Sequence, residues 1–208
     1  KEMEDPRFTD IANRHAETAM RVLLRPDGSC NHIGILDPET GEVISLPGGQ
    51  GYGEGSSWSR GQAWAVYGFA LAFLHTGNQE FLDAAKRAAH YFLANVAMTG
   101  YVSLVDFRAP KEPVYWDTTA TACAACGLLQ IAEMVPEFEK DLYYDGAVKM
   151  LMALSEAHCD WNLKTDGILQ NGTAAYWRDT DRHVSIIYGD YFYVEGILRL
   201  LGKEFMIW

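Results

Sequence analysis

The sequence is poor in basic residues. Its 17 Lys and Arg face 28 Asp and Glu, a formal net charge of −11 over 208 residues. A surface of that sign repels phosphate backbones and anionic headgroups, so neither nucleic acid nor a membrane is an expected partner. It repels acidic small molecules as well, so an acidic ligand needs a local cationic pocket. No apolar run approaches the ~18 residues of a membrane span, and no signal peptide is visible. The chain opens on Lys1 rather than methionine, so that start is not taken as the native N-terminus. Cysteine is scarce too, at four residues. Cys123 and Cys126 form a C-x-x-C, but inside the small-residue stretch TTATACAACGLL and with no second such pair. Buried thiols are expected there rather than zinc or redox chemistry. The G-x-S-x-G elbow, the P-loop and any His/Cys/carboxylate cluster at metal spacing are missing. No metal and no cofactor is expected. The sequon Asn171-Gly172-Thr173 reads as a turn.

What is present is apolar and helical. Hydrophobic residues make up 49% of the chain and charged residues 22%, enough for a core and too little charge for disorder. The spacing predicts helices over Phe8 to Leu24, Ser57 to His75, Asn78 to Val96, Thr118 to Met134, Glu139 to His158 and Tyr188 to Leu201. Pro6 suits the first turn of the first of these, and Arg25-Pro26-Asp27-Gly28 stops it. Alternating apolar residues around Asp37-Pro38-Glu39-Thr40-Gly41 predict a β-hairpin near residues 30–46. Short connections such as Thr76-Gly77-Asn78 join the helices into antiparallel hairpins. Three helices open on related signatures, SSWSRGQAW, VYWDTTATA and IIYGDYFYVE. A repeated helix pair predicts an α/α solenoid or toroid, with inner helices starting on one face.

That face collects the candidate chemistry. Arg60 sits in a first helical turn, where the dipole disfavours a cation. It reads either as a guanidinium for a carboxylate ligand or as an Arg tied to a nearby acid or stacked on Trp58. Trp64, four residues on, shares its helix face and reads as a sugar platform or a core residue. Trp58 either joins that pocket or packs the loop. His32, placed in the first strand of the hairpin, is a proton relay, a hydrogen-bond donor or a structural residue. Gln50 lies in the loop PGGQGYGEGSS, whose glycines predict backbone running close to another group. Asp117 is most simply an N-cap, and Asp190 and Tyr191 lie just inside the last helix. Asp117 and Tyr191 stay as further pocket candidates.

Three stretches, SSWSRGQAWAVYGFAL, WDTTATACAACGLL and IIYGDYFYVEGILRLL, follow ANRHAETAMRVLLRPDGS and DPETGE in order. With them the chain resembles glycoside hydrolase family 88, the unsaturated glucuronyl hydrolases, over nearly its whole length. The resemblance implies a mainly α protein, part of an (α/α)6 toroid, with residues 1–208 as a single domain, the C-terminal portion holding about half the helices. It implies a hydrolase that releases a 4,5-unsaturated uronic acid from lyase-generated oligosaccharides in polysaccharide degradation, by hydrating the vinyl ether. It places His32, Gln50, Arg60 and Trp64 on substrate-binding positions: Trp64 stacked on the sugar, Arg60 and Gln50 bonding it, His32 near the water. The family's two key aspartates belong to its N-terminal half, upstream of Lys1. Asp5, Asp10, Asp117 and Asp190 do not match them. No catalytic residue is therefore assigned, the 208 residues alone are expected to be inactive, and the missing half of the barrel is an expected partner beside the oligosaccharide. The alternatives are a non-catalytic carbohydrate-binding fragment and an unsaturated rhamnogalacturonyl hydrolase. The polysaccharide and a cytoplasmic or periplasmic location stay open. The loop from Asn162 to Ser185 carries Lys164, Arg178, Arg182 and His183, read as a solvated surface or as an anion contact.

Overall fold

All the helices but α2 start where the sequence can satisfy or complement the first turn, in a computed structural model that describes residues 5–162 and 164–203. In α1 (Pro6–Leu23) proline occupies the first turn and the Asp5 carboxylate accepts the Arg7 N–H at 3.0 Å. Helix α2 (Ser59–Thr76) ends on Gly77 in the left-handed conformation. Asn78 then caps α3 (Gln79–Val96) by accepting from the Glu80 N–H, and Asp117 caps α4 (Thr118–Met134) through the Ala120 N–H. Helices α5 (Glu137–Ala157) and α6 (Ile187–Leu200) carry acids in the first turn, where the dipole favours them. These bounds differ from the sequence expectation by one or two residues at most ends.

The hairpin is shorter than its alternation suggests. Strands β1 (Ile35–Leu36) and β2 (Val43–Ser45) pair antiparallel, with Ile35 opposite Ser45 and Leu36 opposite Val43. The Asp37 carboxylate closes the turn by accepting from the Glu39 and Thr40 N–H groups. Upstream, Cys30 pairs instead with Leu24 across the Asp27–Gly28 turn. His32 thus lies in irregular chain before β1, not in a strand as expected. Its ring is tied to the loop at Gly48 and Gln50, and Asn31 to the Val22 and Leu23 carbonyls at the end of α1, rather than to a ladder.

The helices form two layers. Helix α4 packs between α2 and α6, with α3 against α2 and α5 against α4 on the outside, while α1 touches α2 and α3. Every residue from Thr118 to Ala132 is buried. Small side chains make this possible: a Cβ on Gly127 would stand 2.9 Å from the Tyr67 backbone nitrogen, so α2 and α4 meet almost backbone to backbone. Cys30, Cys123 and Cys126 are buried free thiols and Cys159 is half-buried. Among the described residues no helix is long and apolar enough to cross a membrane, and no group of three or more His, Cys, Asp or Glu could hold a metal.

The starts of α2, α4 and α6 meet at one end of this array. Trp58 bridges to Asp106 and Leu104 to Trp116, while the Thr118 hydroxyl donates to the Gln170 carbonyl at 2.7 Å. The long loops are gathered there, over the inner helices.

Candidate functional site

A buried carboxylate holds the loops in place. Asp106, 1% exposed, accepts from the Ser57 and Arg108 amides through Oδ1 and from the Tyr52 amide through Oδ2, at 2.9–3.0 Å. The Arg108 guanidinium bonds Asp27, Ser29 and the Gly55 carbonyl. Arg25 bonds Asn31 and the Ser56 carbonyl. The glycine-rich loop is thereby stretched across the start of α2. Gly49 has φ +57°, and a Cβ there would sit 2.2 Å from His32 Nδ1, so only glycine lets the loop lie on the imidazole. His32 Nδ1 lies 3.0 Å from both the Gln50 amide and the Gly48 carbonyl. In one tautomer Nδ1 accepts the Gln50 amide, and in the other it donates to the Gly48 carbonyl; in both the imidazole is pinned to the loop through Nδ1.

Below this loop opens a cleft of about 550 Å³. Ala16 and Ala19 of α1 form one wall, Gly61, Trp64 and Gly68 of α2 the other, and His32, Gln50 and Trp58 the loop end. Trp64 is 38% exposed; its indole is packed against Phe192 and Tyr188, at centroid distances of 5.5 and 6.4 Å. Trp58 is buried and tilts against His32 at 4.2 Å. No Asp, Glu, Lys or Arg lies among the described residues lining this cleft. A large apolar wall with a few polar groups at one end is the usual form of a small-molecule site.

Arg60 does not share the cleft, contrary to the expectation from its position one turn before Trp64. It is 3% exposed. Its Nε and Nη2 bond the Asp117 carboxylate at 2.9–3.1 Å, and Nη2 also donates to the Thr173 carbonyl at 2.6 Å. The guanidinium carbon stands 5.3 Å from the centre of the Trp58 ring. The helix-start cation is therefore answered by a buried acid and an indole, the plainer of the two readings. Asp117, proposed for the pocket, is fully buried and is both N-cap and ion-pair partner. Burial pushes its carboxyl upward, against the pull of the Arg60 guanidinium and the Thr119 and Ala120 amides. Tyr191 also stays out of the cleft, packed on the core and edge-on to Phe192. Asp190 accepts the Ile168 and Leu169 amides at 3.0 and 2.7 Å and pins that loop. In the same loop Arg178 pairs with Asp181 and Arg182 with Asp179.

Three working residues escaped the sequence reading. Asp106 is a lone acid in the apolar run YVSLVDF, a signal that could have been caught. Asn31, beside His32, accepts from Arg25 Nε at 2.9 Å and donates to the Val22 carbonyl at 3.2 Å. Glu195, 2% exposed, accepts from Tyr67 Oη at 2.8 Å and Arg199 Nε at 3.1 Å and locks α6 to α2 below Trp64.

Alternating inner and outer helices, with the inner starts meeting under a tryptophan-walled cleft, make this part of an α/α toroid. No family model matches the sequence, but individual proteins do. It is 38% identical over 200 residues to the unsaturated glucuronyl hydrolase of Bacillus sp. strain GL1, covering 94% of this chain and 53% of that protein. It is 31% identical over 215 residues to the unsaturated chondroitin disaccharide hydrolase of Streptococcus pyogenes serotype M1, covering 96% and 51%. The crystal structure of the Bacillus sp. GL1 enzyme, described as responsible for the degradation of glycosaminoglycan, superposes with a TM-score of 0.88 at 39% identity, over 94% of this chain and 53% of that one. That of an unsaturated glucuronyl hydrolase specific for heparin gives 0.91 at 27% identity, over 98% and 56%. The chain is homologous to the unsaturated glucuronyl hydrolases of glycoside hydrolase family 88, and it spans about half the length of the curated relatives it matches.

Proposed function

We propose that this chain is the substrate-binding part of a glycoside hydrolase acting on a 4,5-unsaturated uronic acid at the end of an oligosaccharide. One observation carries the reading. Trp64 presents an indole, held by two aromatic neighbours, to a cleft that also holds His32 and Gln50. An indole face suits the C–H face of a pyranose, and the imidazole of His32 suits a sugar hydroxyl or water as donor or acceptor.

The reaction itself needs an acid. A proton goes to C4 of the vinyl ether, water adds at C5 and loses its proton, and the hemiketal collapses to free the remaining sugar and an open-chain keto acid. The described lining of the cleft offers no carboxylate for that first step. On this reading the acid belongs to the part of the barrel that the relatives' greater length allows; the aspartates expected upstream of Lys1 lie outside the described residues. Arg60 acts here as a positioning residue. It fixes Trp58 and the start of α4 from beneath rather than meeting the uronate.

The test has two arms. The purified 208-residue chain should bind an unsaturated disaccharide, and Trp64→Ala should abolish that binding. The same chain should not reduce the ultraviolet absorbance of the conjugated uronate. Turnover by the chain alone would refute the placement of the acid, and undiminished binding by Trp64→Ala would refute the site. The absence of a carboxylate also favours a second reading, a carbohydrate-binding remnant without catalysis. Mixing the chain with the N-terminal half of a relative separates the two, because only an enzyme part regains turnover.

A further inference from the structure

Asp106 is buried, yet it does not line the Trp64 cleft. Arg108, two residues on, turns its guanidinium to Asp27 rather than to it. The carboxylate is answered by main-chain amides instead, Ser57 and Arg108 on Oδ1 and Tyr52 on Oδ2. Burying such a group is costly unless hydrogen bonds satisfy it. A carboxylate accepts at both of its ends, whereas the amide of asparagine accepts at one and donates at the other. Asparagine here would therefore set an NH2 group against an N–H donor. The position requires an acid, not merely a polar side chain of that size.

The two ends of the carboxylate do different work. Around Ser57 the main chain is held without it: Phe107 N–H donates to the Ser57 carbonyl at 2.9 Å and Ser59 N–H to the Val105 carbonyl at 3.0 Å. The Tyr52 end is different. The glycine-rich loop is drawn from its far side by segment 174–176, where Tyr176 N–H donates to the Gln50 carbonyl and Gln50 Nε2 to the Ala174 carbonyl. Asp106 Oδ2 opposes that pull at Tyr52, 3.0 Å away, two residues from Gln50. Gly51 lies so close to it that a Cβ there would stand 2.7 Å from Oδ2. Between these two anchors Gly49 and Gln50 rest on His32, with Nδ1 at 3.0 Å from the Gln50 amide.

We propose that Asp106 is a positioning residue for the saccharide cleft: through the Tyr52 amide it holds Gly49 and Gln50 on the His32 imidazole in the arrangement that binds an unsaturated uronate. This rests on the reading of the Trp64 cleft as the saccharide site, and the experiment keeps the two apart. The 208-residue chain and its variants are titrated with an unsaturated disaccharide, followed by NMR, and the ring nitrogens of His32 are observed in the free protein. Asp106→Asn should weaken binding about tenfold and shift the His32 ring resonances. A role in stability alone would lower the urea midpoint and leave those resonances in place. Gly146→Ala is the control. Its Cβ would stand 2.7 Å from Leu93, between the outer helices α3 and α5, so it should lower the urea midpoint with affinity unchanged. Gly51→Ala reaches the same bond from the loop side, by setting a methyl group against Oδ2, and should reproduce the loss of affinity even where Asp106→Asn does not fold. Undiminished affinity in Gly51→Ala or in folded Asp106→Asn, or an equal loss in Gly146→Ala, overturns the positioning role and leaves the Trp64 reading standing. Absence of binding by the parent chain overturns both.

Discussion

On the α4 side of α2 the polar groups are buried and matched, whereas on its α1 side the wall is apolar and open. Arg60 and Trp64 stand one turn apart and belong to these two regions. The first meets Asp117 and the Thr173 carbonyl with almost no exposure. The second faces a cleft bounded by alanines and glycines. The difference teaches that shared helical spacing does not make a shared site. What faces each turn decides whether a side chain holds the fold or lines an open cleft.

The sealed side should respond most strongly to mutation. Asp117→Ala leaves the Arg60 charge buried without its partner and removes a helix cap, and is expected to destabilise the chain by ~3–5 kcal/mol in urea unfolding. Replacing both partners, Arg60→Met with Asp117→Leu, should recover most of that loss; a double variant as unstable as the single one would show that the orphaned charge is not the cause. Gly127→Ala, on the same side, must push α2 and α4 apart and should cost about 1–3 kcal/mol by the same measurement.

The open side should separate binding from stability. Trp64→Ala is expected to change unfolding free energy by about 1 kcal/mol or less while removing saccharide binding. A large loss of stability would move Trp64 to the core class. Smaller still is the effect of pH through two of the histidines away from the cleft, His90 and His158. Burial pushes the imidazoles of His90 and His158 below their ordinary range. The unfolded chain then binds more protons between the two values. Their contribution is complete above about pH 6.5 and is lost as pH falls through the folded values, so urea midpoints should decline between about pH 7 and about pH 5. Asp10→Ala, which breaks an exposed pair with Arg14, should change stability by no more than about 0.5 kcal/mol.

Much of the site was legible, unevenly. The glycine-rich loop PGGQGYGEGSS announced a close backbone approach, and the structure supplies the object in His32, against which Gly49 lies. Trp64 could be placed on a helix face from its spacing, but whether that face opened onto solvent depended on α1, whose alanines leave room beside it. Arg60 was conspicuous as a cation in the wrong helical turn. Its answer, Asp117, lies 57 residues away, and no local pattern links them.

By itself the sequence determined the helices, their hairpin pairing and the repeated helix pair, because apolar period, caps and breakers act within a few turns of chain. The small-residue stretch around Cys123 and Cys126 likewise foretold buried thiols. Tertiary structure alone decided which polar groups pair inside and which face the cleft, since buried charges are matched across the fold by distance and dielectric, not by neighbourhood in the chain.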